Sequence, residues 1–458
     1  MIPSAIRREK LVLALLGLGL LATRLAHSGI VWVEEAYPSA AAIQLLQGKA
    51  LYRDIWFDKP PLLAFSYLLW GAHIGVPLRI AGAVFIFLCC LMAWRFARDL
   101  WGAHEGLAAA LFAGFFLTFG IPSAVMALAP DLLMVLPHTA AVYLAWRGRP
   151  FWSGLTAGVA LLVNAKAFFV LAACALWAWR GAGWLLAGFA LPNLVALVWF
   201  GGPYIDEVWR WGAMYSQQTF ALSTGFLRTL NWAGFQCALV IAAAFAFWKE
   251  RPWRMVFWVL LSLVAVAAGW RFFPRYYFQL LPVMALLAAR GYTLLGRYRW
   301  VIAVLLLIPL IRFGPRYVTL ANDLVQGRQT QWSDLALSQD SQAVSGRLSG
   351  PGTLLVWGYR PDVFAYTRMP SGSRFLDSQP LTGVLADRHL TDSTAAAPDW
   401  AARNRRELVA TDPTWIVDGL GPLNPQLAIT NYPDLQDWLA TNYREAARTP
   451  FSVTYRLK

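Results

Sequence analysis

Charged residues and cysteine are scarce in this chain, and each shortage excludes a class of protein. Only 14% of the residues are charged, whereas 58% are hydrophobic, and the mean hydropathy is +0.48. Soluble domains contain about 25% charged residues, so this composition excludes an ordinary soluble protein. All four cysteines lie in apolar segments, which excludes a disulfide framework. The chain has no glycine-rich loop of the Walker or dinucleotide-binding type, so nucleotide chemistry is unsupported.

The positive charge of the chain is confined to its first part. The net charge is +14; residues 1–313 contain 25 Lys and Arg against 11 Asp and Glu, and residues 314–458 contain 14 of each kind. The excess lies in short connections between apolar segments, as in the cytoplasmic loops of membrane proteins. A nucleic-acid-binding protein would instead carry a basic patch on a soluble domain, so we expect no nucleic-acid partner.

Long apolar segments predict a polytopic membrane protein, because a span needs about 20 mostly apolar residues. Tryptophan favours the headgroup region, and 19 of the 24 tryptophans precede residue 314. We interpret the N-terminal segment as an uncleaved first helix, since no clear cleavage site follows it. The bias of Arg and Lys between alternate loops places the N-terminus in the cytoplasm and the tail outside. The predicted spans, about eleven in number, lie near residues 11–27, 78–95, 106–121, 131–147, 152–164, 167–180, 184–201, 232–248, 254–270, 276–290 and 298–313.

The tail after residue 313 predicts a separate, small α/β domain. Residues 353–358 and 415–419 have the pattern of short buried strands that end in glycine. Residues 433–443 predict a helix, and residues 451–457 alternate as a final strand does. The predicted fold class is therefore mainly α, a membrane helical bundle followed by an extracytoplasmic α/β domain.

The first loop, residues 28–77, contains an unusual density of charge for this part of the chain. Residues 39–51 predict an amphipathic helix that lies on the membrane. A carboxylate at a helix end can take a proton from an acceptor hydroxyl or amine, so Glu34 and Glu35, placed at the end of the first span, are candidate bases. The alternative is that Glu34 and Glu35 only mark a hydrated helix terminus and have no catalytic role. The charged residues of this loop are Glu34, Glu35, Lys49, Arg53, Asp54, Asp58 and Lys59.

Lysine is rare, with six in the chain against 33 arginines, so the position of each lysine is informative. Lys59 and Lys166 are both predicted at the outer face beside apolar segments. An ammonium group is a compact point charge that suits a phosphate. The alternative for Lys166 is a side chain that snorkels to the interface.

Further candidates lie at the outer ends of later spans. Asp131 opens the fourth span, where the helix dipole also favours an acid. Arg271, Arg275, Tyr276 and Tyr277 cluster in the turn between spans nine and ten, on the same side of the membrane. Their donors suit a phosphate or pyrophosphate, although an aromatic belt with flanking arginines gives the same pattern.

Several of these segments occur together in a recognisable order. They are Glu34-Glu35-Ala36-Tyr37, Asp58-Lys59-Pro60-Pro61-Leu62, Arg79-Ile80-Ala81-Gly82, Pro130-Asp131, Asn164-Ala165-Lys166 and Pro274-Arg275-Tyr276-Tyr277, with Val356-Trp357-Gly358-Tyr359, Arg374-Phe375 and Tyr432-Pro433-Asp434 in the tail. The chain resembles the bacterial integral-membrane glycosyltransferases of the GT-C superfamily. It is most similar to the branch related to protein O-mannosyltransferases and the lipid A aminoarabinose transferase.

The resemblance implies transfer of a sugar from a polyprenyl-phosphate donor to a lipid, glycan or protein, outside the bacterial cytoplasmic membrane and by inverting attack. It implies that Glu34 is the general base and that Glu35 and Asp131 are further catalytic acids. The residues that it implies for the donor and its lipid phosphate are Asp58, Lys59, Lys166, Arg271, Arg275, Tyr276 and Tyr277. No cofactor is required, because basic side chains can carry the phosphate charge; a divalent metal is possible but unsupported.

The chain departs from the family pattern at three places, which leaves the donor sugar and the acceptor open. Glu34 stands where Asp is more usual, Asn164-Ala165-Lys166-Ala167 replaces the commoner Thr-Lys-Gly, and Arg275 stands where many relatives have His. A hexose and a pentose both fit. A flippase or transporter of lipid-linked sugars is an alternative, although the paired inverted repeats typical of transporters are not evident. A non-catalytic scaffold is another.

Overall fold

A computed structural model describes residues 4–217, 221–330, 332, 335–348 and 350–458. Helices hold 70% of the residues, which confirms the mainly α class. Several helices begin with proline, for example at Pro61, Pro130 and Pro150, because the missing N–H of proline costs nothing in a first turn.

The helices before residue 331 are mostly apolar. They are α1 (Ser4–Leu25), α2 (Val33–Leu46), α3 (Pro61–Tyr67), α4 (Val76–Leu100), α5 (Ala103–Phe116), α6 (Pro122–Val125), α7 (Pro130–Leu133), α8 (Val135–Trp146), α9 (Pro150–Leu161), α10 (Phe168–Ala178), α11 (Ala182–Tyr204), α12 (Trp211–Gln217), α13 (Leu222–Phe235), α14 (Cys237–Glu250), α15 (Trp253–Ala267), α16 (Leu281–Leu294), α17 (Arg299–Leu305) and α18 (Leu307–Val325). A π-helical segment, Ile205–Arg210, joins α11 to α12.

In the described part of the chain, two helical stretches are long and apolar enough to span a membrane, Val76–Leu100 and Ala165–Gln217. Two bent pairs, α13 with α14 at 86° and α17 with α18 at 40°, raise the number to four if each pair is one span. Shorter apolar helices include α5, α15 and α16. The count of eleven spans therefore stays a prediction.

The chain forms two compact units. The first unit comprises Met1–Gly29, Val76–Trp199 and Thr219–Thr330, and the second comprises Ile30–Gly75, Phe200–Gln218 and Gln331–Lys458. Most of the first loop thus belongs to the same unit as the C-terminal residues. The two units are defined by contacts within the protein and do not show which residues are inserted into the membrane. The domain boundary predicted after residue 313 therefore stays a prediction.

Glycine permits close helix packing in the first unit. A Cβ atom on Gly154 of α9 would lie 1.9 Å from the carbonyl oxygen of Leu185 in α11. A Cβ atom on Gly188 of α11 would lie 2.1 Å from the carbonyl oxygen of Phe151 in α9. Small residues of this kind let membrane helices approach backbone to backbone, so α9 and α11 pack with no side chain between them at these points.

The second unit contains a four-stranded sheet with the order β1-β2-β4-β3. Its strands are β1 (Leu354–Trp357), β2 (Trp415–Asp418), β3 (Tyr443–Arg448) and β4 (Val453–Leu457). Strands β1 and β2 are parallel and fully buried, and the other two pairings are antiparallel. The strands predicted at 353–358, 415–419 and 451–457 are confirmed. Strand β3 was not predicted, since half of its residues are charged and it lies at the exposed edge of the sheet.

Among the described residues, five α-helices accompany this sheet. They are α19 (Ala336–Ser345), α20 (Asp362–Thr367), α21 (Gln379–Thr382), α22 (Pro398–Val409) and α23 (Pro433–Asn442). Helix α23 confirms the helix predicted over residues 433–443. Helix α2 of the first loop also belongs to this unit, and its residues 35–44 are buried. It extends over Val33–Leu46, so it begins and ends earlier than the helix predicted over residues 39–51.

Buried tryptophans tie the first loop to the core of the second unit. Trp56 of that loop lies edge to face with Trp211 of α12, at 5.7 Å between ring centroids, and with Trp400 of α22 at 6.0 Å. Trp56 and Trp211 are 3% and 1% exposed. Large aromatic side chains dominate the energetics of a core, so these contacts hold the loop in place.

Candidate active site

Glu34 and Glu35 lie in the first turn of α2, and not at the end of the first span as expected. Helix α1 ends at Leu25, and α2 begins at Val33. Glu35 is fully buried, and its Oε1 accepts a hydrogen bond of 3.1 Å from the backbone N–H of Trp32, as in a capping box. Glu34 is only partly buried. Glu35 therefore stabilises the start of the helix, while Glu34 keeps the exposure that a base needs.

Asp58 and Lys59, in the same unit, form an ion pair with 2.7 Å between Oδ2 and Nζ. The Asp58 side chain is 4% exposed and that of Lys59 is 34% exposed. The Tyr52 hydroxyl donates to the Lys59 carbonyl at 2.7 Å, which fixes the backbone before the two prolines. The lysine expected to meet a lipid phosphate is thus held by a neighbouring carboxylate and remains within reach of solvent.

Three residues around this ion pair had no role predicted from the sequence. Gln379 donates from Nε2 to Asp58 Oδ2 at 3.3 Å, and its backbone N–H donates to Asp377 Oδ1 at 2.8 Å. Tyr37 accepts at its hydroxyl from the Asp58 N–H at 3.4 Å. Burial, followed by the charge of Asp58, raises the pKa of Asp377 to about 7, and Gln379 and Lys59 oppose that rise. Burial, with Asp58 and Asp377, also holds the pKa of Tyr37 well above its usual value.

Glu207 is a further buried carboxylate of the second unit, at 2% exposure. Its Oε2 accepts from the Phe57 N–H at 2.9 Å, and Oε1 pairs with the Arg374 guanidinium. Arg374 also donates to the Tyr52 carbonyl at 2.7 Å. The sequence of Ile205–Arg210 contains three charged residues and gives no sign that Glu207 is buried. Its role is to anchor the residues that precede Asp58.

The Asp131 cluster of the first unit consists of Asp131, Asn164, Lys166, Arg275 and Tyr276. Asp131 is 4% exposed; its Oδ1 accepts from Asn164 Nδ2 at 3.1 Å and lies 3.8 Å from Lys166 Nζ. Its Oδ2 lies 3.7 Å from Arg275 Nε. The Lys166 ammonium also lies over the Tyr276 ring, 2.8 Å from the centroid. One negative and two positive charges leave a net +1, which attracts an anion.

Short elements position this cluster. Asp131 lies in the first turn of α7, and Lys166 lies in a 3-10 turn, Ala165–Ala167, whose N-cap is Asn164. The Asn164 amide accepts from the Lys166 N–H at 3.0 Å while it donates to Asp131, so one side chain fixes both residues. Lys166 Nζ has no hydrogen-bond acceptor in the described part of the chain, although it is buried. A buried ammonium without an acceptor keeps its N–H donors for an anionic ligand.

Arg271 lies in a strained turn before this cluster. It is 1% exposed, and the residues on either side, Trp270 and Phe272, have φ of 52° and 48°. Left-handed conformations of bulky residues cost on the order of 1–3 kcal/mol each and persist where packing enforces them. Arg228 donates to the Arg271 carbonyl at 2.6 Å, which is one of the contacts that hold the turn.

The two adjacent tyrosines have different environments. Tyr276 faces the Lys166 ammonium. Tyr277 stacks on Trp232 of α13, with 4.9 Å between centroids and 11° between planes, and its hydroxyl lies 2.8 Å from Thr229 Oγ1. The sequence could not distinguish them. In the structure Tyr276 belongs to the charged cluster, whereas Tyr277 packs against α13.

Metal-binding side chains do not gather in the described part of the chain, where no group of three or more His, Cys, Asp or Glu residues could hold an ion. His138, which follows Asp131 in the sequence by two helical turns, accepts at Nε2 from Trp258 Nε1 at 2.9 Å. That histidine therefore has a packing role.

Comparison of the sequence with models of protein families and with curated protein sequences finds no match. Solved structures do match. ArnT from Cupriavidus metallidurans in the apo state has a TM-score of 0.61 at 16% identity, covering 99% of this chain and 98% of that chain. The same protein bound to undecaprenyl phosphate has a TM-score of 0.58 at 16% identity, with 97% of both chains covered.

A second solved protein extends the likeness. The Archaeoglobus fulgidus oligosaccharyltransferase in the apo form has a TM-score of 0.51 at 12% identity, covering 95% of this chain and 73% of that chain. ArnT, a lipid A aminoarabinose transferase, and this oligosaccharyltransferase are both GT-C glycosyltransferases. At such low identity the likeness shows the fold. The chain therefore has the GT-C fold of membrane glycosyltransferases that the order of its motifs predicted.

Proposed function

We propose that this protein is an inverting glycosyltransferase that moves a sugar from a polyprenyl-phosphate donor to a lipid, glycan or protein acceptor. The observation that carries the proposal is the Asp131 cluster, where the buried ammonium of Lys166, which has no hydrogen-bond acceptor among the described residues, lies in a group of net charge +1. ArnT, which has the same fold, was solved with undecaprenyl phosphate. The reaction takes place at the outer face of the bacterial cytoplasmic membrane, with about eleven spans, the N-terminus inside and residues 314–458 outside.

The Asp131 cluster binds the phosphate of the donor. A polyprenyl-phosphate sugar is already activated, because the phosphate leaves with the electron pair of the broken bond. Lys166 and Arg275 stabilise the charge that develops on the departing phosphate, and Asp131 with Asn164 holds Lys166 in place. Charges fixed before the reaction in a site with little water are an effective means of such stabilisation. Arg271 adds positive charge, and Tyr276 supports the ammonium of Lys166.

Glu34 is the base. An acceptor hydroxyl or amine attacks the anomeric carbon from the face opposite the phosphate, a new bond to that carbon forms, and the bond to the phosphate oxygen breaks. The proton of the acceptor passes to the Glu34 carboxylate, and polyprenyl phosphate is released. Glu35 serves this step indirectly, because its hydrogen bond to Trp32 fixes the first turn of α2.

Lys59 is a second contact for the donor phosphate. Its ammonium is oriented by Asp58 at 2.7 Å, and its side chain is partly exposed. Two prolines follow it directly, and the Tyr52 hydroxyl holds its carbonyl, so the chain around Lys59 has little freedom. Tyr277 positions the neighbouring Tyr276 by packing against α13.

The test is transfer of radiolabelled sugar from a panel of polyprenyl-phosphate hexoses and pentoses. Purified full-length protein in nanodiscs is supplied with a cell-envelope lipid and glycan extract and with peptides as acceptors. We expect one donor to be consumed into a new product by the natural protein and by Glu445→Gln, an exposed carboxylate on β3, but not by Glu34→Gln. Donors that none of the three proteins consumes, and that cross the bilayer at equal rates in proteoliposomes of each protein, would overturn the proposal in favour of a transporter.

A further inference from the structure

Asp377 is a buried carboxylate that the reaction described above does not use. It is 1% exposed, and its Oδ1 accepts the backbone N–H of Gln379 at 2.8 Å. Its Oδ2 is buried and has no hydrogen-bond partner in the described part of the chain. An ionised carboxylate in such a place lacks the donors that usually stabilise its charge, whereas a protonated carboxyl needs far fewer.

Charged groups next to Asp377 connect it to Lys59. Gln379 binds Asp377 through its backbone and Asp58 through its side chain, so one residue bridges the two carboxylates. Asp58 in turn pairs with the Lys59 ammonium. The groups that act electrostatically on Asp377 are Asp58 and Lys59, and Asp377 acts on the buried hydroxyl of Tyr37.

We propose that Asp377 is a positioning residue whose protonated form, acting through Asp58, leaves the Lys59 ammonium able to bind the phosphate of a polyprenyl phosphate. With Asp377 neutral, Asp58 and Lys59 balance each other, and the group has no net charge that would repel an anion. With Asp377 ionised, two negative charges face one positive charge, and the group repels a phosphate. This inference rests on the proposed function for the identity of the ligand.

The titration of Asp377 gives the proposal its pH window. Its pKa of about 7 in the folded protein exceeds the value of roughly 3.9 expected in the unfolded chain. Since the folded pKa is raised, the stability contributed by the neutral carboxyl is fully present below pH 4 and is lost as the pH rises to about 7. Asparagine at this position cannot ionise and keeps the neutral form at every pH.

The first experiment compares thermal unfolding of the natural protein, Asp377→Asn and Asp437→Asn in nanodiscs from pH 5 to pH 8. Asp437 is an exposed carboxylate on α23 of the same unit. We expect Asp377→Asn to gain in Tm relative to the natural protein between pH 5 and pH 7, with no further gain above pH 7. A difference in Tm between Asp377→Asn and the natural protein that does not change with pH would overturn the proposal. So would a Tm of Asp377→Asn below that of the natural protein at pH 8. This experiment needs no activity.

The second experiment measures equilibrium binding of radiolabelled polyprenyl phosphate to the same three proteins at pH 6 and pH 8. We divide the Kd of the natural protein by the Kd of Asp377→Asn at each pH. The titration of the phosphate affects both values equally and cancels in this ratio. We expect a ratio near 1 at pH 6 and about three to ten at pH 8, the effect of one partly screened charge, with Asp437→Asn at 1 throughout. Equal ratios at the two pH values, or no binding to any protein, would overturn the positioning role. Failure of the proposed function would show instead as binding without transfer.

Discussion

Adjacent residues with the same chemistry take different roles in this protein. Glu35 accepts the Trp32 N–H, while its neighbour Glu34 is more exposed. Tyr276 faces Lys166, while Tyr277 packs on α13. Both distinctions depend on the direction in which a side chain leaves its turn. The sequence singled out each pair but could not divide it, because neighbours in a pair differ only in orientation.

Replacing Lys166 tests the phosphate-binding role at the residue scale. We expect Lys166→Met to lower kcat/KM for the donor by about 10- to 150-fold, since a hydrogen bond to a charged group contributes about 1.5–3 kcal/mol. The control is Lys249→Met, because Lys249 is exposed beside Trp248. Steady-state transfer rates measured over a range of donor concentrations give kcat/KM for each variant. Equal kcat/KM in the two variants would show that Lys166 does not contact the donor.

Replacing Glu35 tests its capping role. Glu35→Ala removes the acceptor of the buried Trp32 N–H, and the loss of an N-terminal cap costs about 0.5–2 kcal/mol. We therefore expect a lower Tm for Glu35→Ala and an unchanged Tm for Glu34→Ala, measured by thermal unfolding in detergent. A larger loss of Tm from Glu34→Ala would reverse the assignment of the two carboxylates.

Helix packing sets the geometry of the first unit at the scale of elements. Gly154 and Gly158 are four residues apart on α9, and added Cβ atoms would lie 1.9 Å and 2.6 Å from carbonyl oxygens of α11. This spacing is the small-residue pattern of close membrane helices. The spacing can be read from the sequence, but the helix that packs against it cannot, because a pair of glycines does not indicate which helix approaches it.

A substitution in this contact should destabilise the first unit. Gly154→Ala places a methyl group against the Leu185 carbonyl, and overpacking of this kind costs about 1–3 kcal/mol. The matched control is Gly183→Ala on α11, where nothing lies within 4 Å of an added Cβ, and where alanine favours the helix. Thermal unfolding in one detergent should show a lower Tm for the first variant only. A Tm for Gly154→Ala at or above that of Gly183→Ala would contradict the packing described here.

At the scale of the whole molecule, the sequence predicted what depends on local pattern and on motif order. The strands at Leu354–Trp357 and Trp415–Asp418 follow from short β-branched and aromatic runs that end in glycine. The order of the motifs predicted the fold that ArnT shares. Asp377 had no local signal, since only the folded chain brings it next to Asp58. The same holds for the first loop, whose place beside the C-terminal sheet depends on buried tryptophans far apart in sequence.

A single-turnover experiment shows whether Glu34 takes the proton of the acceptor. Enzyme in excess over radiolabelled donor separates the chemical step from binding, and donor Kd is measured alongside. We expect Glu34→Gln to bind the donor as the natural protein does but to transfer the sugar about 100-fold or more slowly, because a general base has been lost. Transfer by Glu34→Gln at the natural rate would contradict this role of Glu34.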